Sequence, residues 1–315
     1  MTTGTDRERA APIRAVPVRH PGRWLAVAIV VLLAAMFAHM LVTNDRFQWS
    51  FMVDNMFRGP VLRGAETTVL VTIYSMLAGV ALGIVVAVMR LSENPLLRWT
   101  AWLYTWFFRA IPRYVLLAFI GNLGYLYPKL RIGLPFTDQI NGILGADIHG
   151  TIWGLDSNNF FAGMKAAVLG LALSEAAYMA EIVRAGILAV DPGQMEAAQS
   201  LGMRRTLAMR RIVLPQAMRV IVPPTGNETI AMLKDTSLLI ALPLTSELFF
   251  QLEAVGHRTF NTFPMKVAAL LWYLALSSVF MVGQYFIERH YSRGFGQRGD
   301  GRASGVPAAG AGLDH

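Results

Sequence analysis

Stretches of this chain that are otherwise apolar enough to cross a bilayer hold a few ionisable side chains: Glu175, Glu181 and Arg184, then Glu228, Lys234 and Asp235. A charge at the bilayer centre costs on the order of 2.5–3.5 kcal/mol by insertion scales, so such groups face a cavity or a partner. Spacing sorts them. Ser174, Tyr178 and Glu181 recur at i, i+4 and i+7 and share one helical face, with Glu175 beside it. Asn227, Ala231 and Lys234 line a second stripe, and Glu228 and Asp235 the next. The chemistry this offers is recognition. Carboxylates at Glu175 and Glu228 can accept from an ammonium group, while Lys234 and Asn227 can receive a carboxylate, which together suit a zwitterion. Glu175 has no basic residue three or four positions away. It is therefore read as lining a solute path with Ser174, Tyr178, Asn227, Glu228 and Lys234. Glu181 with Arg184, and Lys234 with Asp235, are read as structural ion pairs.

Bond-breaking chemistry finds little support. The chain has no cysteine, which excludes thiolate metal sites and cysteine nucleophiles. Its histidines are scattered, with neither HExxH nor GxSG, so no catalytic residue and no metal site is expected. A phosphate-cradling GxxxxGK[ST] loop is also missing, and Lys129, Lys165, Lys234 and Lys266 all stand in other contexts. This chain does not hydrolyse ATP by that route.

The elements that must position these residues are membrane helices. Hydrophobic residues make up 54% of the 315 and charged ones only 15%, against about a quarter in soluble proteins. A helix crossing about 30 Å of hydrocarbon needs roughly 20 apolar residues. Trp24 to Val42, Thr67 to Met89 and Val267 to Ile287 pass cleanly; Thr100 to Tyr127, Phe160 to Val190 and Val220 to Leu244 are interrupted by charge. The expected fold is all-α, with six transmembrane helices. The net charge of +8 falls in short segments between spans, which fits a membrane surface and not nucleic acid. With the N-terminus inside, inner segments carry 17 Lys and Arg, Arg184 at the inner end of the fourth run included, against six in the outer ones, Lys266 being counted at the end of the last run, so both termini are expected in the cytosol. The first span is read as a retained anchor, and Pro128 to Asn159 as a cap on the outer face. The Gly-, Ala- and Arg-rich tail after Ser292 is read as disordered.

Between the fourth and fifth runs lies EAAQSLGMRRTLAMRRIVLP, residues 196–215, polar and basic. Asp191-Pro192-Gly193 stops the preceding helix, and Gly193 is expected to cap a new one with Glu196 at its third position. Ala197 and Ala198 then offer a surface without bulk, and Gly202 ends the helix in a left-handed cap. Leu214-Pro215 closes the pattern, and Pro223-Pro224 is expected to open the fifth span.

This spacing resembles the EAA signature of ATP-binding-cassette importer permeases. AYMAEIVR at 177–184, GQMEAA at 193–198, LPQA at 214–217 and LKDTSL at 233–238 resemble segments of the polar amino acid branch, which carries histidine, glutamate, glutamine, arginine or opines. The resemblance runs from about Gly64 to Glu288, so the chain divides into a cytosolic tail (1–23), an anchor with its outer loop (24–63), a five-helix permease domain (64–291) and a terminal tail (292–315). It implies ATPase coupling through the helix at 194–202, with Gly193, Glu196, Ala197, Ala198, Gly202, Leu214 and Pro215 as the docking pattern. It implies these partners: a cytosolic ATPase dimer holding ATP and Mg, a second permease subunit, an extracytoplasmic solute-binding protein, and the lipid of the cytoplasmic (inner) membrane. Three positions depart from the branch. Arg113 follows RAIP where RGTP and aliphatics are usual; Ser174-Glu175 replaces an uncharged pair; Glu228 stands where a neutral residue is common. The extra acids hint at a cationic or amine-bearing solute. A proton- or ion-coupled secondary transporter is the competing reading, but inverted repeats are not evident.

Overall fold

The computed structural model describes residues 21–133, 141–143, 151–242 and 244–291. The two terminal tails fall almost wholly outside them, as do residues 134–140 and 144–150 of the expected outer cap. The chain forms two compact units, residues 1–48 and 49–315. That places the division ahead of the expected boundary at 63/64. The first unit is α1 (Pro21–Thr43) and a 3₁₀ turn (Asp45–Phe47). Residues Gly22–Thr43 of α1 have a mean hydropathy of 2.7, as a lipid-facing helix requires.

The second unit contains α2 (Trp49–Met56), α3 (Gly59–Arg90), α4 (Pro95–Ala110), α5 (Arg113–Gly121), α6 (Gly163–Leu188), α7 (Pro192–Ser200), α8 (Arg205–Ala208), α9 (Leu214–Asp235), α10 (Leu248–Thr259) and α11 (Thr262–Tyr291). One exception to the all-helical reading is an antiparallel ribbon, β1 (Lys129–Gly133) with β2 (Thr151–Asp156), inside the expected cap. Four helices (α1, α3, α6, α11) are long and apolar enough to cross a membrane, and a fifth span is gained if α4 and α5 count as one. Six clean spans are therefore not what the described residues display. The expected fifth, α9, carries Arg219, Glu228, Lys234 and Asp235 and does not reach the same apolarity.

Two elements depart from expectation for reasons written in prolines. The third run is not one straight helix: α4 and α5 meet at 98°. Pro112 lacks the N–H that would continue α4, and Ile111 before it is extended at φ −85°, ψ 131°. The Pro223-Pro224 pair does not open α9 but lies inside it. Beside it the Thr225 hydroxyl donates back to the Ile221 carbonyl at 2.8 Å, within the same turn of the helix.

The core has two centres. One is built on α3 against α6, with α4, α5 and α9 around them. Gly79 and Gly83 face α6 so closely that a methyl group on Gly83 would stand 2.6 Å from the Met179 Cβ and 3.0 Å from the Ala176 carbonyl oxygen. The small-xxx-small spacing thus serves packing within the subunit. The other centre joins α2, α3, α10 and α11. Glu247 knits it together: one carboxylate oxygen accepts from the Thr68 and Tyr273 hydroxyls, and the other caps α10 through the Phe249 and Phe250 amides.

Candidate functional site

The break at Pro112 turns α5 so that Arg113, its first residue, meets α6 and α9 at once. The guanidinium donates to Glu175 at 2.9 Å and to Asp235, stands 3.9 Å from Glu228, and covers the Tyr178 ring at 4.8 Å from its centroid. Three carboxylates therefore surround one cation in the packed middle of the unit. Exposure grades across the cluster: the Glu175 side chain is 0% exposed, Arg113 13%, Glu228 26% and Asp235 30%. Glu175 sits against Gly79, whose missing side chain makes room for its Cβ and Cγ. A cluster of this kind is cohesive only while complete, because each buried charge relies on the others to offset its lost hydration.

The expected residues are distributed as follows. Glu228 and Asp235 do share a stripe, and both turn to Arg113. Lys234 does not pair with Asp235: it is exposed, and Asp235 is held by Arg113 instead, since successive residues point to different helix faces. Glu181 does pair with Arg184, at 2.7 Å, and also receives Arg90 at 3.3 Å. Tyr178 lies beneath Arg113, with Arg109 also near its ring at 5.6 Å. Ser174 is buried without a hydrogen-bond partner for its hydroxyl. Asn227 is exposed and accepts from the Gln284 side chain at 2.9 Å. Glu175 was expected to be open to a path, but the packing of α3 and α6 encloses it. Arg113 was seen in the sequence only as an added charge, yet it joins all three unusual positions.

The docking segment forms the expected short helix, α7, with a different start. Asp191, not Gly193, is the cap: its side chain accepts from the Gly193 amide at 2.8 Å, and Pro192 takes the first helical position. Glu196 therefore lies two positions deeper than expected, exposed on the second turn. The end is as expected. Gly202 takes φ +79°, its amide donates to Gln199 O at 2.9 Å, and Met203 N donates to Ala198 O at 3.1 Å. That pair of bonds is a Schellman motif. Ala197 is exposed, whereas Ala198 is buried and serves the underside of the helix. Leu214 and Pro215 begin α9 on the surface.

Side-chain contacts tie α7 into the bundle. Gln216 of α9 donates to Gln194 of α7 at 3.4 Å, and Arg205 of α8 meets Glu93 of the α3–α4 turn at 3.4 Å. Between α3, α6, α9 and α11 lies an open apolar groove of about 1190 Å³ that begins at Glu93 and Arg205 and runs past Ile84, Met179 and Ile221.

Comparison with known proteins adds the following. Residues 79–293 match a family described as the binding-protein-dependent transport system inner membrane component. The arginine transport system permease protein ArgU of Corynebacterium glutamicum is 45% identical over 291 residues, covering 92% of this chain and 87% of its own. The probable amino-acid ABC transporter permease protein YckA of Bacillus subtilis is 34% identical, covering 74% of this chain and 89% of its own. A crystal structure of an amino acid ABC transporter with histidines superposes with a TM-score of 0.60 at 29% identity, covering 77% of this chain and 98% of its own.

Proposed function

The chain belongs to the family of binding-protein-dependent transport system inner membrane components, and on that premise we propose that it is a permease subunit of an amino-acid importer that carries a cationic solute such as arginine. The amino-acid importer reading is carried by the family match together with the 45% identity to an arginine permease over nearly the whole chain. These matches do not favour the competing secondary-transporter reading. The cationic preference is supported by the cluster at Arg113, where three acids face one base and the two most exposed members, Glu228 and Asp235, are acids. Excess carboxylate at membrane depth favours a passing guanidinium or ammonium group over an anion.

The division of labour follows. Energy enters through α7, because no phosphate-binding loop exists in this chain. ATP and Mg belong to a separate cytosolic ATPase pair that grips the exposed face of Gly193, Glu196 and Ala197. Ala198, Gly202, Leu214 and Pro215 hold that helix in place, and the Gln194–Gln216 contact passes its motion to α9. As α9 moves, it carries Glu228, Asp235, Asn227 and Lys234, while Glu175, Ser174 and Tyr178 stay with α6. Solute thus meets a surface whose two sides separate. A second permease subunit covers the open groove, and an extracytoplasmic binding protein delivers solute at the outer ribbon. This arrangement uses six spans in the cytoplasmic membrane with both termini inside, α9 being tolerated as a span because its polar face meets protein.

The test is reconstitution. Proteoliposomes containing this chain, its ATPase and its binding protein should accumulate labelled arginine only with ATP. Accumulation by this chain alone would overturn the importer reading, and ATP-dependent uptake of neutral amino acids with none of arginine would overturn the cationic one.

A further inference from the structure

A second group of arginines lies apart from the Arg113 cluster, at Arg90, Arg98 and Arg109. Two adjacent cavities, of about 270 and 390 Å³, share Arg90 and Trp102 as walls. The smaller adds Arg98 and Trp99, and the larger adds Trp106 and Arg109. On α4 these residues form one stripe: positions 98, 102, 106 and 109 recur at helical spacing, with Trp99 alongside. At 1.5 Å per residue the stripe is about 16 Å long. The indoles are exposed, Trp99 by 64%, Trp102 by 41% and Trp106 by 55%, yet they brace one another, with centroids 5.3 Å apart for the first pair and 6.3 Å for the second.

The charge of this stripe is unbalanced. Among the described residues no carboxylate pairs with Arg98 or Arg109. Glu181 is the acid lining the larger cavity, and it is already held by Arg184 at 2.7 Å as well as by Arg90. The Arg90 Nε is buried and has no hydrogen-bond partner. Three guanidiniums, one with an orphaned donor, thus line cavities walled by exposed indoles. The place in the fold is equally telling. Arg90 ends α3, Arg98 lies in the first turn of α4, and the intervening turn is tied through Glu93 to Arg205, just beyond the docking helix. The stripe therefore starts on the face of the bundle that carries α7. Exposed indoles belong at the level of lipid headgroups, and basic pockets between helices on the cytoplasmic side suit anionic ones.

We propose that the α3–α4 cleft is a binding site for one anionic phospholipid, with Arg90 and Arg98 around its phosphate and glycerol oxygens and the three indoles along its upper chain. Occupancy braces the α3–α4 turn against which Arg205 rests, so that the lipid stiffens the floor beside the docking helix. The inference does not depend on which solute is carried.

Native mass spectrometry of the purified full-length chain tests it, with titrations of phosphatidylglycerol and phosphatidylcholine. One phosphatidylglycerol should be retained in preference to phosphatidylcholine. Arg98→Gln should weaken that preference by about fivefold, the share expected of one basic residue, while Arg98→Lys keeps most of it. Arg98 is exposed, so its variants preserve the fold. Equal retention of the two lipids, or a preference unchanged in Arg98→Gln, would overturn the site. Inorganic phosphate that strips the lipid at millimolar concentration would overturn the lipid as ligand. Failure of arginine uptake with lipid retention intact would instead count against the transport reading alone.

Discussion

Two regions of this subunit use arginine–carboxylate contacts in opposite settings. At the break between α4 and α5, Arg113 and Glu175 are 13% and 0% exposed; beside the docking helix, Arg205 and Glu93 are 70% and 90% exposed. The inner cluster joins three helices, and its Glu175 side chain is closed to solvent. The outer one joins two surface turns and is bathed in solvent. The same chemistry is thus a structural necessity in one place and a light tether in the other. On the proposed mechanism the inner cluster holds firmly while the segment beside α7 yields to an external push.

The largest effect is expected at the inner site. Arg113→Ala leaves Glu175 and Asp235 facing one another without a cation, and breaking a buried pair in this way costs about 3–5 kcal/mol. Thermal unfolding in detergent should show the loss, and Arg113→Ala with Glu175→Gln should recover part of it because the orphaned charge is gone. If both single and double variants unfold like the parent, the cluster is not cohesive and the contrast fails.

Gly202→Val comes next. A β-branched residue held at φ +79° is strained by about 1–2 kcal/mol, and the Schellman bonds that close α7 would be lost or distorted. Insertion should survive and ATP-driven uptake should not. Normal uptake would mean that the shape of α7 is irrelevant to coupling. Asp191→Ala probes the other end. Removing the cap costs about 1 kcal/mol, confined to the first turn, so hydrogen exchange at Gly193 and Gln194 should quicken while uptake falls only in part.

These two regions also differ in how far they could be read from the chain. The docking helix was legible because its signals are local: Asp-Pro-Gly at the start and Gly202 at the end lie within a dozen residues. Only the choice of cap was misplaced, since Asp191 outcompetes Gly193 for the orphan amides. The inner cluster was not legible. Arg113 and Asp235 are 122 residues apart, and helical spacing along one element says nothing of what a second element brings. Each unusual residue was visible singly; what joins them is the turn at Pro112, which points Arg113 inward. The Glu247–Thr68–Tyr273 network escaped for the same reason, its members being 179 and 26 positions apart. Periodicity located the helices well, but apolarity alone overcounted straight spans where prolines and charges intervene.

The smallest expected effect sharpens the comparison most. Arg205→Ala removes the exposed contact with Glu93, and pairs of this exposure contribute between nothing and about 1 kcal/mol, so unfolding should move within error. Stability is not the informative readout. The Arg205–Glu93 contact links the segment after α7 to the α3–α4 turn, and if it acts as a tether its loss should appear in coupling: a higher basal ATPase rate of the assembled complex and less stimulation by loaded binding protein. Raising salt should mimic the variant in the parent, because an exposed pair is screened within a Debye length of about 8 Å at physiological ionic strength. Arg113–Glu175, enclosed by α3 and α6, should be indifferent to the same salt. A salt response of equal size at both sites would erase the distinction between a sealed gate and a yielding lever.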